Sequence, residues 1–421
     1  MIFNTSAQKF IFYNFPVFLF SLIPFFLITG PLLSDLAISM ISALFIVYCI
    51  KKKNFSFFNN IYFYIFLVFW MYLLINSLIN NFNLDSLKIS FFYFRYGTFV
   101  IAIVALLNFD DRFIKYFFYC ILICFIALIL DGFYQYFFEE NILGWKSQIR
   151  VSSFFGDEKI LGSYLSRLWP IFFGISIFFF KNKKKLFFLL ILVFIFSEAL
   201  IFLSGDRTAF FYINLSAIFV ILFSQKLLKL RLITLCLSVL LLITISLINP
   251  TAKERVFDQT IKQMKGVEER LPGEEGIFIF TKTHTHHYIS AYKMYLDNKV
   301  LGVGVKNFRV FCRDERYEVS KLSCSSHPHN AYLQILSETG TIGFLFLIMV
   351  LLTFCFNLFK HLKLKIKGKY YFNDFEICIL SGIAIYLWPI VPTGNIFNNW
   401  LNIIMILNLP FLIWSRKSIK S

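Results

Sequence analysis

The chain has 421 residues, of which 58% are hydrophobic and only 15% are charged. Soluble domains average about 45–50% apolar and about 25% charged residues, so a soluble globular class is excluded and an all-α, polytopic membrane bundle is expected. The net charge of +17 does not point to nucleic acid, because Lys and Arg sit in short clusters between apolar runs and no nucleic-acid-binding module is recognisable.

A membrane helix needs roughly 20 mostly apolar residues. Runs of that kind fall at 10–29, 32–50, 61–79, 89–108, 113–131, 159–180, 186–204, 208–224, 231–249, 337–359, 375–393 and 397–414. They predict about twelve spans. The first run is too long for the apolar core of a cleaved signal peptide and reads as a retained helix. Basic clusters follow the even-numbered spans: Lys51–Lys53, Lys181 with Lys183–Lys185, Lys226 with Lys229 and Arg231, Lys360–Lys369, and Arg416 with Lys417 and Lys420. Under the positive-inside rule this alternation places both termini in the cytoplasm. The organisation expected is helices one to nine in 1–249, a large outer loop in 250–336 and helices ten to twelve in 337–421.

The outer side then receives 132–158, the tight turn Ser204-Gly205-Asp206-Arg207-Thr208 and the long loop. In that loop Ala252–Lys265 is rich in helix formers and charge, Leu271-Pro272-Gly273 is a break, and Tyr288–Asn298 has helical apolar spacing up to the Gly302-Val303-Gly304 turn. No internal repeat supports a transporter built from inverted halves. Cys312 and Cys324 share the loop, where an oxidising space favours a disulfide. The other six Cys lie in apolar runs, as small hydrophobes do.

Ionisable groups at a membrane boundary are poor structural filler and are the first functional candidates. His284, His286 and His287 form one cluster, and His327 and His329 another, while His361 lies in a basic loop and is expected to be solvated. The spacings do not match the His-Glu-x-x-His pattern of zinc hydrolases, so proton transfer or hydrogen bonding is expected over metal ligation. The bland alternative is that these His satisfy loop backbone groups. Arg207 opens a helix, where a guanidinium and backbone donors suit a phosphate, or else it pairs with Asp206. Arg150 precedes span six on the same side and offers a second contact or a plain surface role. Arg95, inside span four, calls for a bundle-facing partner, for which Asp131 is a candidate. Ser337 and Glu338 fit a capped helix entry, and Glu338 is also a candidate to orient an imidazole or hold a sugar.

His329-Asn330, nine residues, Gly340, two residues and Gly343 resemble the signature of bacterial O-antigen ligases and the related O-antigen polymerases. Ala291-Tyr292-Lys293-Met294 to Asn298, Gly302-x-Gly304-x-x-x-Phe308, Ser204-Gly205-Asp206-Arg207 and the Arg150–Gly162 stretch are similar to further segments of that family. The resemblance implies a metal-independent inner-membrane glycosyltransferase without a cofactor. It would move a glycan from a polyprenyl-pyrophosphate carrier to an acceptor hydroxyl on the periplasmic side. The acceptor would be lipid A–core for a ligase, or another lipid-linked repeat unit for a polymerase. By position His329 would be the base and Arg207 the pyrophosphate contact, with His327, Asn330 and Glu338 alongside. Where the family commonly carries an Arg before the Ala-x-x-Met helix, this chain has His284, His286 and His287, and His287 or Arg255 is the candidate substitute. A lipid-linked glycan transporter is the alternative of another class. It predicts ionisable groups along the bundle interior rather than crowded at one membrane face.

Overall fold

Inside a bilayer the backbone must satisfy its own hydrogen bonds, which leaves long apolar runs only the helix or the closed barrel. The computed structural model describes residues 3–80, 83–146, 150–180, 184–226, 228–248, 253–264 and 280–418, and their regular structure is helical apart from one isolated bridge between Glu140 and Lys146. The principal helices are α1 (Pro31–Lys52), α2 (Ile61–Ile79), α3 (Phe94–Phe109), α4 (Ile114–Phe138), α5 (Leu161–Phe180), α6 (Lys184–Leu203) and α7 (Arg207–Phe223). They continue with α8 (Leu228–Ile248), α9 (Lys282–Asp297), α10 (Ala331–Ile366), α11 (Asp374–Tyr386), α12 (Asn399–Ile406) and α13 (Asn408–Ser418). Among the described residues, seven helical stretches are long and apolar enough to cross a membrane, and Leu190–Leu203 and Arg207–Phe223 are shorter apolar helices.

Three expected boundaries move. The run 10–29 is split into Phe10–Asn14, Phe15–Ser21 and Ile23–Ile28, with Pro16 and Pro24 each in the first turn of a new helix. The helix expected at 337 begins at Ala331 instead. Asn330 caps it, its side-chain oxygen accepting from the N–H groups of Tyr332 and Leu333, so Ser337 and Glu338 are buried interior residues and not its entry. The run 375–393 stops being helical after Tyr386, because Pro389 supplies no N–H and disfavours helical geometry before it. An irregular strap at 387–398 follows.

The helices pack closely where side chains are small. A Cβ added at Gly174 of α5 would lie 3.0 Å from Cys378 Cβ of α11, and Ser216 of α7 meets Ser381 of α11 at 2.9 Å. Leu345, Leu352, Phe356 and Phe359 of α10 are exposed, as a lipid-facing surface requires. Two cations within the bundle are paired, Arg231 buried and Arg95 partly so. Arg231 meets Glu198 at 2.7 Å, and Arg95 meets Asp35 at 2.6 Å. The partner of Arg95 is thus Asp35 and not Asp131, whose carboxylate instead accepts from Ser153 Oγ and the Ile142 N–H.

The basic clusters around Lys226, Lys365 and Arg416 lie together at one end of the bundle. There Lys365 Nζ donates to the Leu222 carbonyl and Arg416 Nη1 to that of Tyr371. His361 is not solvated. It is fully buried at this end, with Nε2 donating to the Phe223 carbonyl and Nδ1 accepting from the Phe372 N–H. The opposite end carries α9, the strap and a small apolar cluster of Ala291, Met294, Val303, Phe308, Cys312 and Tyr317. Cys312 and Cys324 form the expected disulfide within it. The sequence break expected at Leu271-Pro272-Gly273 lies outside the described residues.

Candidate functional site

The glycines of the loop and of α10 interlock. Val303 and Gly304 donate their N–H groups to the Ser337 and Glu338 carbonyls at 2.8 and 2.9 Å, and Thr341 donates to Lys299. This pairing interrupts α10 at Gly340, whose φ of 62° and ψ of −167° belong to a region open essentially to Gly alone. A Cβ there would collide with the Val300 carbonyl. Asn76 and Asn80 of α2 donate to the Leu301 carbonyl, and Asn80 also to that of Gly302. The loop is thereby fixed to the bundle.

On this base four imidazoles converge. His284 and His287 lie one turn apart on α9, whose first turn is capped by Thr281. Their ring centroids are 5.2 and 5.3 Å from that of His329, and His327 is 4.0 Å from it. His329 sits immediately before the cap residue of α10 with φ +58°, a left-handed conformation that turns its side chain off the helix axis. The strap holds it there, since the Thr393 N–H donates to the His329 carbonyl at 2.8 Å. His327 Nε2 donates to the Thr393 carbonyl at 3.2 Å, which leaves Nδ1 to accept from Ser326 Oγ. His329 Nε2 lies 3.1 Å from Ser325 Oγ, while its Nδ1 has no hydrogen-bond partner among the described residues. His286 points elsewhere, fully buried, with Nδ1 2.7 Å from Ser320 Oγ.

Burial, then the adjoining imidazole of His284, pushes His329 down to about 4. His287 is pushed down to about 4 by burial and then by His329, and His327 to about 3 for the same two reasons. His284 falls to about 4 through burial, then His287, then the Arg207 charge. The cluster is therefore neutral at pH 7, with a cation within electrostatic reach.

That cation stands at the first turn of α7. Asp206 caps the helix by accepting from the Ala209 N–H, and Arg207 Nη1 donates to Gln263 Oε1 at 2.6 Å and to Thr260 Oγ1 at 3.3 Å. Thr208 Oγ1 donates to the Pro392 carbonyl, bringing the strap beside Arg207.

The remaining candidates divide. Asn330 is occupied as the cap of α10, and its Nδ2 donates to the Pro389 carbonyl. Glu338 is fully buried, accepting from Gln334 Nε2 and the Phe308 N–H, and so anchors the glycine loop rather than lining the imidazole cluster. Arg150 is partly buried where a segment docks on α4 through Ser152 and Ser153, both donating backbone N–H groups to Gln135. Arg255 lies on the turn Glu254–Asp258, and its side chain lies outside the described residues. Among the described residues no three His, Cys, Asp or Glu side chains converge in metal-binding geometry. The strap itself escaped the sequence reading. Pro389, Pro392 and Gly394 within an apolar run were its signal. Arg167, a single cation in span six, carries no local motif that marks it in the sequence.

Residues 188–348 match the family model described as O-antigen ligase, a segment that holds Arg207, all four clustered imidazoles and Gly340. No curated protein matches the chain.

Proposed function

We propose, from the match of residues 188–348 to the O-antigen ligase family model, that the protein is a glycosyltransferase of the bacterial inner membrane. It moves a glycan from a polyprenyl-pyrophosphate carrier to an acceptor hydroxyl of lipid A–core. The reaction runs on the periplasmic face, with about twelve spans crossing the bilayer and both termini in the cytoplasm. The basic clusters around Lys226, Lys365 and Arg416, which meet at the far end of the bundle, support that orientation.

The observation that carries the reading is the neutral His329 imidazole, its Nδ1 without a described protein partner, beside His284, which feels the Arg207 charge. In the tautomer with Nε2–H donating to Ser325 Oγ, 3.1 Å away, the Nδ1 lone pair is left for the acceptor O–H. The acceptor oxygen attacks the anomeric carbon while the bond from that carbon to the pyrophosphate oxygen breaks. The electron pair leaves with the pyrophosphate, and the acceptor proton passes to Nδ1. Arg207 and the first turn of α7 receive the developing charge. An anion arriving beside the cluster raises the affinity of His329 for a proton, so the base strengthens as the donor binds.

Reconstitution of the full chain with a polyprenyl-pyrophosphate glycan and candidate acceptors tests this. Transfer that is lost in His329→Ala at unchanged folding supports it, and undiminished transfer by that variant refutes the base. Product length reports the acceptor: one addition marks ligation to lipid A–core, and a ladder of repeats marks polymerisation.

A further inference from the structure

Three arginines are deeply placed in the helical bundle, and two have carboxylates: Arg231 with Glu198, and Arg95 with Asp35. Arg167 of α5 has none among the described residues, although the residue is only 4% exposed. Its Nη1 donates to Ser163 Oγ at 2.6 Å, and its guanidinium lies over the rings of Tyr212 and Tyr386, 4.8 and 5.5 Å from their centroids. Its Nε has no hydrogen-bond partner among the described residues. A buried guanidinium is costly unless an anion compensates it, and aromatic faces and one hydroxyl supply no net charge.

Its place in the fold names the missing anion. Arg167 is six residues into α5, about 9 Å below the helix start. That start is pressed against the Arg207 turn, where a Cβ on Gly162 would meet Ser204 Oγ at 2.5 Å and Asp206 Cβ at 3.1 Å. Tyr212, whose ring Arg167 touches, follows Arg207 by five residues on α7, about 7.5 Å along the axis. Arg167 therefore lies beneath Arg207, on the membrane side.

We propose that Arg167 binds a phosphate of the membrane-borne donor, as the buried partner of Arg207 in a two-arginine grip on the pyrophosphate. This rests on the reading of the donor as a lipid pyrophosphate. The donor's phosphates are anchored at the bilayer by their lipid, and a planar guanidinium holds phosphate oxygens in bidentate fashion.

The test uses the full chain in nanodiscs of zwitterionic lipid, with binding and thermal melting measured against polyprenyl pyrophosphate, neutral polyprenol and phosphatidylglycerol. Wild-type protein is expected to bind polyprenyl pyrophosphate and to ignore polyprenol. Arg167→Met is expected to melt no lower than wild type without ligand, since an uncompensated charge has gone, and to bind polyprenyl pyrophosphate at least about tenfold more weakly. Arg167→Lys is expected to fall between them. A folded Arg167→Met variant that binds like wild type overturns the proposal. Equal stabilisation of wild type by phosphatidylglycerol, lost in Arg167→Met, overturns the donor as the source of the phosphate. Wild type that binds no lipid pyrophosphate overturns the underlying donor reading instead. Should the variants not fold, a donor-bound structure of wild type decides: phosphate within hydrogen-bonding reach of Arg167 supports the grip, and phosphate held elsewhere removes it.

Discussion

The backbone N–H of Thr393 donates to the carbonyl of His329, joining a strap near the end of the chain to the candidate base. The bond fixes a left-handed histidine, a conformation that persists only where its surroundings over-determine it. Thr393→Pro removes that N–H and is expected to lower glycan transfer at least about tenfold. Thr393→Ala keeps the N–H and deletes a buried hydroxyl that has no partner, so activity close to wild type is expected. Steady-state transfer by both purified variants checks the pair. Equal loss in both would place the effect in the side chain.

Gly340→Ala places a Cβ against the Val300 carbonyl at a backbone conformation open essentially to Gly. The conformational strain alone is about 1–3 kcal/mol, and the collision adds to it. Gly368 also has positive φ but faces open space, so Gly368→Ala is expected to be the milder change. Melting temperatures of the two variants give the comparison.

The imidazole cluster makes stability depend on pH. His284, His287 and His329 are held near 4, and His327 near 3, whereas an unfolded imidazole keeps its ordinary value of 6.5. Below 6.5 the unfolded state binds the protons, so the contribution is full above 6.5 and is lost as pH falls toward about 4. Melting temperature is expected to drop across that window. Replacing His329 with Gln removes one site and relieves its neighbours, so the drop should be shallower. An unchanged slope would show that other groups control it.

Glu198→Gln strands a buried guanidinium and is expected to cost roughly 3–5 kcal/mol, whereas the double change Glu198→Leu with Arg231→Met is expected to be close to neutral. Expression level and melting of the single and double variants measure the difference.

Much of the fold is written as local pattern. Apolar length marks most of the helices, and the Gly302-x-Gly304 and Gly340 spacing marks an interlock whose close approach only glycines permit. The convergence of His284, His287, His327 and His329 follows from two short segments and a disulfide-bearing loop. What escaped local pattern is long-range pairing. Nothing near Arg95 in sequence selects Asp35 over Asp131, because both are single acids at the edge of apolar runs. Ser337-Glu338 and Asn330 are equally good local caps, and the packing of Glu338 on Phe308 decides between them. His361 reads as solvated from its lysine neighbours, yet a carbonyl more than a hundred residues earlier buries it. Hydropathy averages over the strap, since its prolines are embedded among apolar residues.

The strap also sets the order of events during synthesis. The segment shared with the family ends at residue 348, but the carbonyl that His327 engages and the N–H that holds His329 belong to Thr393. A nascent chain that has only just released its histidines lacks the contacts that hold two of them. The imidazole cluster can be tied down only once α11 has been made and the strap lies beside α9. Premature termination before residue 389 should therefore yield a chain that inserts but leaves His329 unsecured, which membrane fractionation and a transfer assay of the truncated chain would report.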